Sequence, residues 1–104
     1  MNWKIQRKQL LVQAFLSLKN ADDVQRFLRD LLTENEIDEF SKRLQTAEML
    51  TSKIPYSQII KKTGLSSTTV ARVSKYLNGK EGGYRNVLNV SHQHSSSQSG
   101  RELS

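Results

Sequence analysis

Ser67, Thr68, Arg72 and Lys75 stand at spacings that bring them to one side of a helix, with Ala71 between them. Their chemistry suits a surface laid against nucleic acid. Short hydroxyl side chains let backbone approach base edges, a guanidinium pairs with guanine, and an ammonium meets phosphate. Within this set Ser66 and Lys75 suit phosphate, whereas Ser67, Thr68, Thr69 and Arg72 suit bases. Gln58, eight residues before Ser66, is placed to hold the backbone or touch a base. The plainer alternative is a helical hairpin with a solvated face, but such faces mix Glu with Lys. Residues 51–80 hold Lys53, Lys61, Lys62, Arg72, Lys75 and Lys80 and no acid at all.

The elements that must position these residues can be read from the same stretch. Ile59, Ile60 and Thr63 give a short first helix its inward face, and Gly64 supplies a left-handed turn where a Cβ is disfavoured. Leu65 fills the corner. Ser66 is a good N-cap, so a second helix starts at Ser67. Val70, Val73 and Leu77 recur at i, i+3 and i+7 and face inward. The segment from about 56 to 78 therefore reads as a helix-turn-helix, and its basic outward face makes double-stranded DNA the expected partner.

The rest of the chain reads as helical scaffold. Residues 3–18 are apolar on more than one face from Leu10 onward, which calls for burial on two sides and points to a partner subunit. Asn20 caps a helix with Val24, Phe27, Leu28, Leu31 and Leu32 on one stripe. Thr33-Glu34-Asn35-Glu36 is a capping box opening a third helix, which runs to about Thr51 with Ile37, Phe40, Leu44, Ala47 and Leu50 or Thr51 inward. The acids at its start fit the helix dipole better than a catalytic pair. Pro55, the only proline, is expected to end that helix and preset the entry to the helix-turn-helix. Asn78-Gly79 reads as a C-cap, Glu81-Gly82-Gly83 as a flexible break, and Tyr84–Leu88 as one or two further turns.

With 104 residues, one domain over 1–89 is expected, followed by a polar, serine-rich disordered tail over 90–104. So short a chain gains burial by dimerising. The net charge of +6 is uneven: residues 21–50 are acidic and residues 51–80 strongly basic. There is no cysteine, hence no disulfide framework and no cysteine-based zinc site. His92 and His94 lack further ligands nearby, so no metal and no cofactor is expected. No nucleophile–base constellation or nucleotide-binding glycine pattern occurs, so the protein reads as no enzyme. Gln13 breaks the apolar run 10–18, and no stretch reaches a membrane span; a cytoplasmic, nucleoid-associated protein with no membrane partner is expected.

Thr33-Glu34-Asn35-Glu36-Ile37, Tyr56-Ser57-Gln58-Ile59, the run Thr63 to Val73, and Gly82-Gly83-Tyr84 together resemble the Trp repressor family, and most closely its YerC/YecD-type branch. The similarity covers about residues 10–89. It implies an all-α fold of five to six helices, an intertwined homodimer, and repression of transcription through operator DNA. It also implies an effector pocket at Thr33, Arg43 and Arg72, the positions that line the tryptophan site of the Trp repressor. Here the sequence departs from that pattern. Val73 stands where the tryptophan-binding member has glycine, and Tyr76 where it has a serine near the amino group of the ligand. Both add bulk, so tryptophan is not expected as corepressor, and Arg43 is free to pair with acids of neighbouring helices. Two other readings are weighed: a helix-turn-helix subunit of a transposase, against which the serine-rich tail speaks, and a protein-interaction adaptor without DNA affinity, against which the acid-free basic segment speaks.

Overall fold

The computed structural model describes residues 1–89, and within them the chain forms six helices and no strand. These are α1 (Gln6–Leu16), α2 (Ala21–Leu31), α3 (Glu34–Thr51), α4 (Tyr56–Thr63), α5 (Ser67–Leu77) and α6 (residues 83–89). The expectation for 90–104 lies outside the described residues. The helices fall into two compact units, Met1–Ile37 and the part from Asp38 onward.

The first unit starts with α1, which has no buried residue; Leu10 is 71% and Leu16 72% exposed. Apolar side chains on several faces of one helix find too little surface within so small a unit. Phe15 of α1 and Phe27 of α2 meet edge to face at 5.4 Å between ring centroids. Asn20 caps α2 as expected, its side chain accepting from the Asp23 amide at 2.9 Å. The capping box at the head of α3 is complete. The Glu36 amide donates to the Thr33 hydroxyl at 3.1 Å, and the Thr33 amide donates to the Glu36 carboxylate at 2.9 Å.

The second unit holds the core in two clusters. Ala47, Val73, Leu77 and Leu88 join α3, α5 and α6, while Ile59, Leu65 and Val70 join α4 to α5. The expected inward stripe of α3 is only partly right. Ala47 is fully buried, but Phe40 and Leu44 are 47% and 41% exposed. Thr46 is fully buried instead, tolerated because its hydroxyl donates to the Lys42 carbonyl at 2.8 Å. The end of α3 falls where expected, but Lys53 rather than Pro55 makes the stop. The helix stops at Thr51, and the reversal is made by Lys53 at φ 64°, with Pro55 serving as N-cap of α4. No helix among the described residues is long and apolar enough to cross a membrane.

Candidate nucleic-acid interface

The tight turn between α4 and α5 follows from three side chains. Gly64 adopts φ 77°, and its amide donates to the Ile60 carbonyl at 2.8 Å, closing α4. The hydroxyl of Thr63, itself buried, donates to the Ile59 carbonyl and accepts from the Leu65 amide, so it is partnered as both donor and acceptor. Ser66 then accepts from the Thr69 amide at 3.1 Å and donates its hydroxyl to Thr69 Oγ1 at 3.0 Å, which starts α5 at Ser67.

The two faces of α5 separate cleanly. Val70, Val73 and Leu77 are buried, whereas Ser67, Thr68, Ala71, Arg72 and Lys75 are exposed. Thr69 is half-buried and Gln58, in the first turn of α4, is exposed. Thr68, Ala71, Arg72, Lys75 and Tyr76 line one shallow groove along the outer side of α5. Ion pairs among the described residues join Arg26, Lys42 and Arg43 to acids, and none engages Arg72 or Lys75. Lys75 instead places its ammonium 5.8 Å from the centroid of the Tyr76 ring. A basic helix face with no carboxylate to repel phosphate is what this geometry presents.

Each position matching the family's effector pocket has its own local surroundings. Thr33 uses its hydroxyl in the capping box. Arg43 pairs with Glu39 of its own helix at 3.1 Å and lies 5.7 Å from the centroid of the Phe40 ring, so the acid it meets is intrahelical rather than on a neighbour. Val73 is only 2% exposed and belongs to the core. Tyr76 is 52% exposed and borders a second, mostly apolar hollow with Leu44, Tyr84 and Val87. Arg72 and Tyr76 both line the groove along α5.

One structural residue escaped sequence reasoning. The Arg85 guanidinium donates to the Leu77 carbonyl at 2.6 Å, capping α5 from α6. Asn78 contributes too, its side-chain amide donating to the Ser74 carbonyl at 2.9 Å, while Gly79 keeps a φ that is not left-handed. An eight-residue separation across a Gly-Gly break carries no sequence signal for such a contact. Among the described residues no group of three or more His, Asp or Glu could hold a metal ion.

Six helices among the described residues, with the short α4 joined by a glycine turn to the capped α5, define a helix-turn-helix protein of regulator-like fold. Residues 6–92 match the family model of the Trp repressor protein. The chain is 38% identical over 87 residues to the uncharacterized protein YerC of Bacillus subtilis, covering 82% of this chain and 84% of that one. It also matches the crystal structure of a TrpR-like protein from Eubacterium eligens with a TM-score of 0.77 and 41% identity, over 84% of this chain and 90% of that one. The chain belongs to the Trp repressor family, and its relatives are those of the YerC/YecD-type branch.

Proposed function

We propose that the protein is a sequence-specific DNA-binding regulator of transcription, a repressor that acts as a homodimer in the cytoplasm. The observation that carries this is the outer face of α5: Ser67, Thr68, Ala71, Arg72 and Lys75 exposed together, opposite buried Val70, Val73 and Leu77, in a segment without an acid. In this reading α5 enters the major groove. Ser67, Thr68, Thr69 and Arg72 read bases, while Ser66, Lys75 and Gln58 fix the register on the backbone. The dimer reading is supported by α1, whose Leu10, Leu11, Phe15 and Leu16 are all exposed in a single chain. Two recognition helices in a dimer address half-sites about one helical turn, roughly 34 Å, apart on a near-palindrome.

No tryptophan is needed. Val73 is already packed on Ala47, Leu77 and Leu88, and a ligand acts only through unequal affinity for two states. Selection of bound duplexes from a random pool at fixed salt, with and without tryptophan, tests the proposal. A near-palindromic consensus enriched equally in both arms is expected. A pool that stays unenriched contradicts sequence-specific binding, and enrichment only with tryptophan contradicts the effector reading.

A further inference from the structure

We propose that Lys53 is a DNA-phosphate contact, held at the entrance to the helix-turn-helix by a backbone conformation that a side chain disfavours. The proposal rests on the DNA-binding reading above. Lys53 is the only non-glycine residue with positive φ among the described residues. It occupies the reversal position of a Schellman motif. The Ile54 amide donates to the Met49 carbonyl at 3.1 Å and the Lys53 amide to the Leu50 carbonyl at 3.0 Å. Glycine is the favoured residue at such a position, because any Cβ crowds the backbone there. Lysine adds nothing to the turn except that crowding and a charged side chain.

The place of that charge is fixed. Met49 and Ile54, which flank the reversal, both pack against the Ile59, Leu65 and Val70 cluster, so the motif is fastened to the helix-turn-helix core. Lys53 is exposed, and no ion pair among the described residues includes it. It stands two residues before Pro55, the N-cap of α4, at the same end of α4 as the exposed Ser57 and Gln58. The first helix of a docked helix-turn-helix crosses the DNA backbone, so a cation at its amino end faces phosphate. A competing explanation is that the α3 dipole favours a cation at its C-terminus, where the last turn has no other basic residue. That explanation gives Lys53 no role toward DNA and makes its replacement by glycine a loss of favourable charge.

The test compares the full chain with Lys53→Gly, Lys53→Arg and Lys62→Ala on a duplex selected by the wild type, by fluorescence anisotropy across a salt series and by thermal melting. Lys62, exposed in the last turn of α4, controls for net charge. The proposal expects Lys53→Gly to melt higher yet bind about three- to tenfold more weakly, with a salt slope lower by about 1. Lys53→Arg should keep wild-type affinity, and Lys62→Ala should bind nearly as the wild type does. Unchanged affinity for Lys53→Gly, on DNA that the wild type binds in a salt-dependent way, overturns the assignment of Lys53 and leaves the functional reading intact. So does an equal loss for Lys62→Ala, which would make the effect one of overall charge. Failure of the wild type to bind any selected duplex overturns the functional reading itself.

Discussion

Replacing Val73 by glycine would restore the residue of the tryptophan-binding family member, and the structure sets what that should do. Val73 is 2% exposed and packs on Ala47, Leu77 and Leu88. The substitution deletes three buried carbons, at about 0.8 kcal/mol each. It also puts glycine inside α5, at roughly 1 kcal/mol. The expected loss is about 3–4 kcal/mol, a large share of the roughly 5–15 kcal/mol of a typical domain. Urea denaturation followed by circular dichroism reads this directly. The same assay tests the ligand. If tryptophan bound the native wild type with a Kd of about 10 μM, then about 1 mM would add roughly 2.7 kcal/mol of stability. We expect no such gain for the wild type, and no rescue of Val73→Gly. A variant within about 1 kcal/mol of the wild type would show that Val73 is not core. A tryptophan-dependent gain of about 2 kcal/mol or more would show that a ligand pocket exists despite Val73 and Tyr76.

Other substitutions probe the turn, the assembly and the interface. At Gly64 an added Cβ meets nothing within 4 Å, so Gly64→Ala should lose only the left-handed backbone penalty, about 1–2 kcal/mol by denaturation; a loss well beyond that would mean the turn has no room. Leu16→Glu should abolish the dimer and lower stability together, read by sedimentation equilibrium; a variant that keeps twice the monomer mass removes α1 from the interface. Lys75→Ala should weaken binding about evenly on all sequences and lower the salt slope by about 1, whereas Arg72→Ala should cost about 1–3 kcal/mol and relax preference at one base pair. Loss spread equally over every sequence for Arg72→Ala would assign it to phosphate rather than base.

The sequence made visible those features that single residues encode locally. Gly64 and Ser66 each have one strong conformational preference, so the turn and the start of α5 could be placed to the residue. The same holds for Asn20 and for the reciprocal Thr33–Glu36 bonds. Features that depend on context were hidden. Lysine carries no signal for a left-handed backbone, so sequence alone points to Pro55 rather than Lys53 as the stop of α3. Thr46 counts as polar until its hydroxyl is seen to bond to Lys42. Phe40 and Leu44 fit an inward stripe by period alone, yet period cannot say whether a partner surface stands opposite. The Arg85 cap on Leu77 joins two helices across a break and has no local precursor in sequence. On the interface, the exposed face of α5 was legible because its burial pattern is the complement of Val70, Val73 and Leu77.

The proposed function requires this helix-turn-helix to bind a particular duplex. The direct measurement is the affinity of the wild-type protein for its selected palindrome and for a scrambled duplex of equal length, each across a salt series. Binding to the palindrome should be tighter by about 10³-fold or more near physiological salt, with affinity for both falling as salt rises. Equal affinity for the two duplexes, or binding indifferent to salt, would contradict it.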